Sequence, residues 1–174
     1  AITDENIRAL MDANIYEKLK DVISEEDMEA QIDDFFSEYH PQVAGLGIIP
    51  GVDIVLETMG TKKIPQHVIS SSSEKTIIEQ LKKSAMAPYI HEILGTETDR
   101  SKVVKFKHIL NTYRLQPHDI LFVTDTTGDI QEAHSLGIPT VAVTWGYHER
   151  DRLASLNPEY ILSLIHISEP TRRT

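Results

Sequence analysis

The chain has 174 residues, 40% of them hydrophobic, no cysteine, and a formal net charge of -10 at pH 7. That length and composition support one globular domain with a small appendage, while the acid excess and the lack of a basic block argue against nucleic acid as a partner. Absent thiols exclude disulfides, thiolate metal sites and a cysteine nucleophile, and no leader-like or membrane-length apolar run is visible, so the reading is of a cytoplasmic protein that does not bind membranes.

Ile7, Leu10, Met11, Ile15 and Leu19 recur three and four positions apart after Thr3, Asp4 and Glu5, which predicts an amphipathic helix. Ser24 opens a second, its hydroxyl capping and Asp27 reaching back, with Met28, Ile32, Phe35, Phe36 and Tyr39 along one face until Pro41. The glycines and proline between Gly45 and Gly51 break that pattern and mark a boundary between a helical segment, 1–45, and a core, 46–162. The core begins with a helix to about Met59, a strand over 66–69, and a helix after Ser73 with Ile77, Ile78 and Leu81 inward. A helix from Ser101 carries Val103, Val104, Phe106, Ile109, Leu110 and Tyr113; a strand over 120–124, a helix over 130–136 and a strand over 140–144 follow. Short apolar strands alternating with helices predict an α/β fold built on a parallel sheet. The final run from Leu162 to Thr174 fits no element that core requires and resembles an in-frame translation of a sequencing adapter, so 163–174 reads as a non-native tail.

Ligands of open parallel sheets sit beyond the carboxyl ends of the strands, which directs attention to the residues after each apolar run. Asp125 is the candidate magnesium ligand, because this hard cation takes oxygen donors and often only one or two carboxylates. The same residues also suit a plain Asp-Thr-Thr-Gly turn with Asp129 capping the next helix, and both readings stand. Ser70 leads a hydroxyl run suited to a phosphoryl oxygen, although Ser72 or Ser73 as an ordinary helix cap explains that run more simply. Lys102, at a helix start, opposes the helix dipole and can neutralise phosphate. Trp145 and Tyr147 flank the expected cleft, and the eight histidines show no ligand spacing and read as structural or surface residues. Dinucleotide, P-loop and nucleophile-elbow motifs are absent.

Taken in order, Ile69-Ser70, Ser101-Lys102, the run from Leu121 through Asp125 to Asp129, and the run from Gly137 to Trp145-Gly146 resemble the haloacid dehalogenase superfamily. The resemblance is to its phosphoglycolate phosphatase-like branch, with a Rossmann-like core and a helical cap. It implies that Ser70, with Ser71 beside it, and Lys102 bind phosphate, that Asp125 contacts Mg2+, and that Asp129 joins Ser70 and Lys102 in the catalytic set. It further implies hydrolysis of a small phosphorylated metabolite through an aspartyl-phosphate. The family nucleophile lies in an Asp-x-Asp motif after the first core strand, and no Asp-x-Asp occurs among these 174 residues; Asp33-Asp34 falls in an amphipathic helix. The resemblance therefore implies a chain that begins inside the cap and is inactive alone. Thr124 stands where the family most often has glycine, and its branched side chain is expected to crowd the backbone near the metal. A catalytically silent module that binds a metabolite or protein is the alternative; a phosphoacceptor receiver is disfavoured because Lys102 precedes Asp125.

Overall fold

The computed structural model describes residues 47–164 together with Asp12, Ser24 and Asp27. Both helices expected before residue 45 and the tail beyond 164 otherwise lie outside the described residues. The chain divides into two compact units, one formed by Ala1–Val22 with Ser101–Thr174 and the other by Ile23–Arg100.

In the Ile23–Arg100 unit, the Asp27 amide donates to Ser24 Oγ at 3.1 Å and the Ser24 hydroxyl donates to Asp27 Oδ2 at 2.6 Å, pairing the two residues expected to start a helix. Helix α1 (Val52–Thr61) follows Gly51, whose φ of 90° is open to glycine at little cost. Strand β1 (His67–Ile69), helix α2 (Glu74–Lys83) and strand β2 (Glu92–Leu94) form a βαβ unit in which the strands pair in parallel, His67 opposite Glu92 and Ile69 opposite Leu94. The Gln66 side-chain amide donates to the carbonyls of Leu56 at 2.8 Å and Tyr89 at 3.0 Å, tying the middle of α1 to this unit.

Ile77 and Leu94 are buried in this unit, but Ile78, expected inward, is exposed, and Thr76 is buried in its place. Ser73 caps α2 by accepting the Thr76 amide at 3.3 Å, and the two hydroxyls meet at 2.8 Å. That hydroxyl pair turns Thr76 and Ile77 inward, which leaves Ile78 about 100° further round the helix. Strand β2 escaped prediction because it is three residues long and begins with glutamate.

His67 has a depressed pKa. Burial is the main cause, the charge of His91 adds to it, and the charge and hydrogen bond of Glu92 oppose it. Above pH 6.5 the imidazole is neutral folded and unfolded and contributes nothing to pH dependence. Below that value the unfolded chain takes up the proton first, so stability falls as pH drops toward the lower folded pKa. The urea midpoint should therefore decrease between pH 7.5 and 5.5, and less so in His67→Leu; equal slopes would contradict this assignment.

The described part of the other unit contains α3 (Lys102–Tyr113), β3 (Phe122–Thr124), α4 (Thr127–His134), β4 (Thr140–Val143), α5 (Arg150–Ala154) and β5 (Tyr160–Leu162). The strands form a parallel sheet in the order β3-β4-β5, with Phe122 opposite Thr140 and Val141 opposite Tyr160. Every residue of β4 is buried, as a central strand covered on both faces requires. Ile130, Ala142 and Leu153 form its core with Leu156 and Ile161 packed against them; each large aliphatic side chain buried this way contributes about 1.5–3 kcal/mol. Phe106 of α3 meets Phe122 edge to face at 4.9 Å. Helix α4 closes through bonds from Ile138 N to Ala133 O and from Gly137 N to His134 O, with Gly137 at φ 70°, which is a Schellman stop.

This is the α/β arrangement expected. Two details of α3 differ: Val104 is exposed and Lys105 is fully buried. Strand β5 also went unforeseen, because its exposed Tyr160 and short length carry little signal. No helix among the described residues is long and apolar enough to cross a membrane.

Candidate active site

Strand β3 ends at Thr124, and Asp125 is the first residue beyond its carboxyl end. Thr126 then caps α4, its hydroxyl oxygen accepting the Asp129 amide at 3.3 Å. Asp129 is therefore not the cap, as the turn reading had it; the helix starts three residues earlier than expected and Asp129 lies in its first turn. Asp125 is fastened from the loop after β4: its carbonyl accepts the His148 amide at 3.1 Å, and its Oδ2 accepts the Tyr147 amide at 2.8 Å. Gly146 permits this closeness, since a Cβ there would stand 1.9 Å from Asp125 Oδ2 and 2.3 Å from Asp125 Cβ.

The Asp129 carboxylate has different partners. Its Oδ1 receives Lys102 Nζ at 2.5 Å and its Oδ2 receives the Thr124 hydroxyl at 2.8 Å. Thr124 thus holds Asp129, and its side chain is buried in making that bond. Glu132, one turn further along α4, accepts the Lys102 amide at 3.0 Å and the Ser101 hydroxyl at 3.3 Å. A carboxylate at the α3 N-terminus favours the helix dipole that the Lys102 charge opposes, so Asp129 and Glu132 grip the two ends of the same lysine. Lys102 itself is buried.

Ser70 and Ser71 belong to the Ile23–Arg100 unit. Ser70 extends β1: its amide donates to Leu94 O at 3.0 Å and its hydroxyl oxygen accepts the Ser72 amide at 3.1 Å. Both serines are half-buried. Ser73 takes the capping role, and the first amide of α2, that of Glu74, is engaged by Glu97 at 2.8 Å.

Magnesium typically takes one or two carboxylates and completes six oxygens with water or phosphate. Asp125 suits it: among the described residues only its Oδ2 takes a hydrogen bond, leaving Oδ1 as a hard donor. Asp129 has both oxygens committed and acts one step removed. No group of three or more His, Asp and Glu converges among the described residues, so the donors fit a site filled out by water and substrate oxygens. Trp145 is half-buried and Tyr147 exposed beside it. Sequence reasoning missed Glu132 and His148. The first had a signal, a carboxylate three residues after Asp129 on one helix face; the second, a lone buried histidine, had none.

Residues 1–143 match the haloacid dehalogenase-like hydrolase family. The chain belongs to that family. It is 26% identical over 117 residues to the phosphoglycolate phosphatase of Synechococcus elongatus, covering 67% of this chain and 55% of that one. It is 27% identical over 141 residues to the phosphoglycolate phosphatase of Mannheimia succiniciproducens, covering 78% and 63%. The likeness is thus to the phosphoglycolate phosphatase-like branch, and the chain spans little more than half the length of these relatives. In fold it is similar to a haloacid dehalogenase-like hydrolase family protein of Streptococcus pneumoniae, with a TM-score of 0.76 at 20% identity over 94% of this chain and 78% of that one.

Proposed function

We propose that this chain carries part of the active site of a cytoplasmic, magnesium-dependent phosphomonoester hydrolase acting on a small phosphorylated metabolite. The observation that carries the reading is the Asp125 turn: one carboxylate oxygen accepts the Tyr147 amide and, among the described residues, the other takes no hydrogen bond, while Asp129, four positions on, is paired with Lys102. Family membership and the phosphoglycolate phosphatase relatives support phosphate as the group acted upon. Bound magnesium would supply Lewis-acid polarisation of the phosphoryl oxygens. Asp125 would hold that ion, Lys102 would offset phosphate charge, and Asp129 and Thr124 fix the lysine; for Ser70 and Ser71, in the other unit, the family resemblance implies phosphate binding. In a full family member an aspartate of the Asp-x-Asp motif attacks phosphorus, the ester oxygen leaves with a proton, and water hydrolyses the aspartyl-phosphate.

These 174 residues contain no Asp-x-Asp, so the chain by itself should bind Mg2+ without turnover. Calorimetric titration should detect Mg2+ binding that Asp125→Asn weakens about 10–100-fold, the usual cost of disturbing a metal site. Hydrolysis of an aryl phosphate by the chain, abolished in Asp125→Asn, would refute its inactivity; absence of Mg2+ binding would refute the site. The Thr124 bond to Asp129 supports the enzyme over a silent binding module, since the departure from glycine is built into the acidic turn.

A further inference from the structure

Beneath the Asp125 turn lies a side-chain network that the proposed chemistry does not use. His148 is 1% exposed, and its Nδ1 accepts the Thr127 amide at 2.9 Å. A nitrogen that accepts from an N–H carries no proton, so the hydrogen bonds assign the imidazole proton to Nε2. Nε2 points to Asp12 Oδ1 at 3.6 Å, and the same Oδ1 accepts the Thr127 hydroxyl at 3.0 Å. Asp12 is in turn paired through Oδ2 with Arg152 of α5. The His148 backbone amide meanwhile donates to Asp125 O. One residue thus holds the acidic turn at two points, through its backbone at Asp125 and through its ring at Thr127.

We propose that His148 is a positioning residue for the metal ligand: by accepting the Thr127 amide it fixes the path of the backbone between Asp125 and Asp129, and the nearby Asp12 charge favours the tautomer with its proton on Nε2. The Thr127 amide lies in the first turn of α4, where amides have no partner within the helix. With Nδ1 as acceptor that amide is satisfied and the start of α4 is tied to the loop after β4. The inference rests on the reading of Asp125 as a magnesium ligand, and it adds that the geometry of this ligand depends on a side chain that never touches the ion.

Two substitutions separate the ring's two contacts. In His148→Asn the side-chain oxygen can occupy the place of Nδ1 and keep the Thr127 bond; in His148→Gln the amide reaches toward Asp12 and that acceptor is lost. Mg2+ titrations of the 174-residue chain, followed by the fluorescence of Trp145, its single tryptophan, provide the readout. His148→Gln should weaken Mg2+ about 10–100-fold and His148→Asn by no more than about threefold, as expected when an outer residue orients a ligand. Equal weakening in both, or in neither, at thermal midpoints that show both folded, overturns the proposal. Hydrogen exchange at the Thr127 amide gives a reading independent of metal: protection should persist in the wild type and His148→Asn and be lost in His148→Gln. Should the wild type fail to bind Mg2+, the magnesium reading falls, and this exchange pattern still decides whether His148 sets the turn; uniform protection in all three chains overturns it.

Discussion

Gly146→Ala should both destabilise this protein and loosen its metal site. The new Cβ would stand 2.3 Å from Asp125 Cβ, an atom that cannot move without its backbone. Either the loop after β4 or the turn after β3 must retreat, and both are joined through the Tyr147 and His148 amides. Overpacking of this kind costs about 1–3 kcal/mol, and displacement of Asp125 should weaken Mg2+ binding about 10–100-fold. Gly137→Ala is the control. Nothing lies within 4 Å of its added Cβ, but its φ of 70° disfavours any side chain. It should lose about 1–2 kcal/mol for the left-handed backbone while binding Mg2+ as the wild type does. Urea unfolding and Mg2+ titration of both variants check this, and a Gly146→Ala chain with unchanged affinity would contradict the close approach.

Lys102→Met should cost stability on a similar scale. Removing one partner of a buried ion pair costs about 3–5 kcal/mol, because the other charge stays behind. Asp129 keeps the Thr124 hydroxyl and its side chain is 18% exposed, which places the loss at roughly 2–3 kcal/mol. Lys102→Met combined with Asp129→Leu should recover much of that stability, since an apolar pair of similar size leaves no stranded charge. If Lys102 also offsets phosphate charge, the stable double variant should still fail to bind inorganic phosphate in the presence of Mg2+. Recovery of stability with phosphate binding intact would reduce the lysine to a packing element.

The parallel α/β pattern and most helices of the core were legible because their signals are local. Thr140 to Val143 is an unbroken β-prone run and proved fully buried, and the caps at Ser24 and Ser73 were readable from hydroxyls placed before apolar periodicity. What could not be read depends on partners distant in sequence. Thr124 looked like an intrusion near the metal and is instead the donor that holds Asp129. Lys105 carries a charge at a position that periodicity assigns to the surface, yet it is fully buried. His148 resembles seven other histidines until Thr127 and Asp12 are placed beside it. Candidate residues could be nominated from motif order, whereas the side chains that hold them appear only once the chain has closed on itself.

Within the sheet of β3, β4 and β5, each strand pairs with its successor across one helix, so the loops closed during assembly are short and their entropy cost is small. The bond between Asp12 and Arg152 is of another kind, joining residues 140 positions apart. Closing a loop of that length costs more entropy than closing a single helix crossover. The acidic turn is thus held by contacts of two ranges, those of its own strand and helix and those that reach it through Asp12 from far away in sequence.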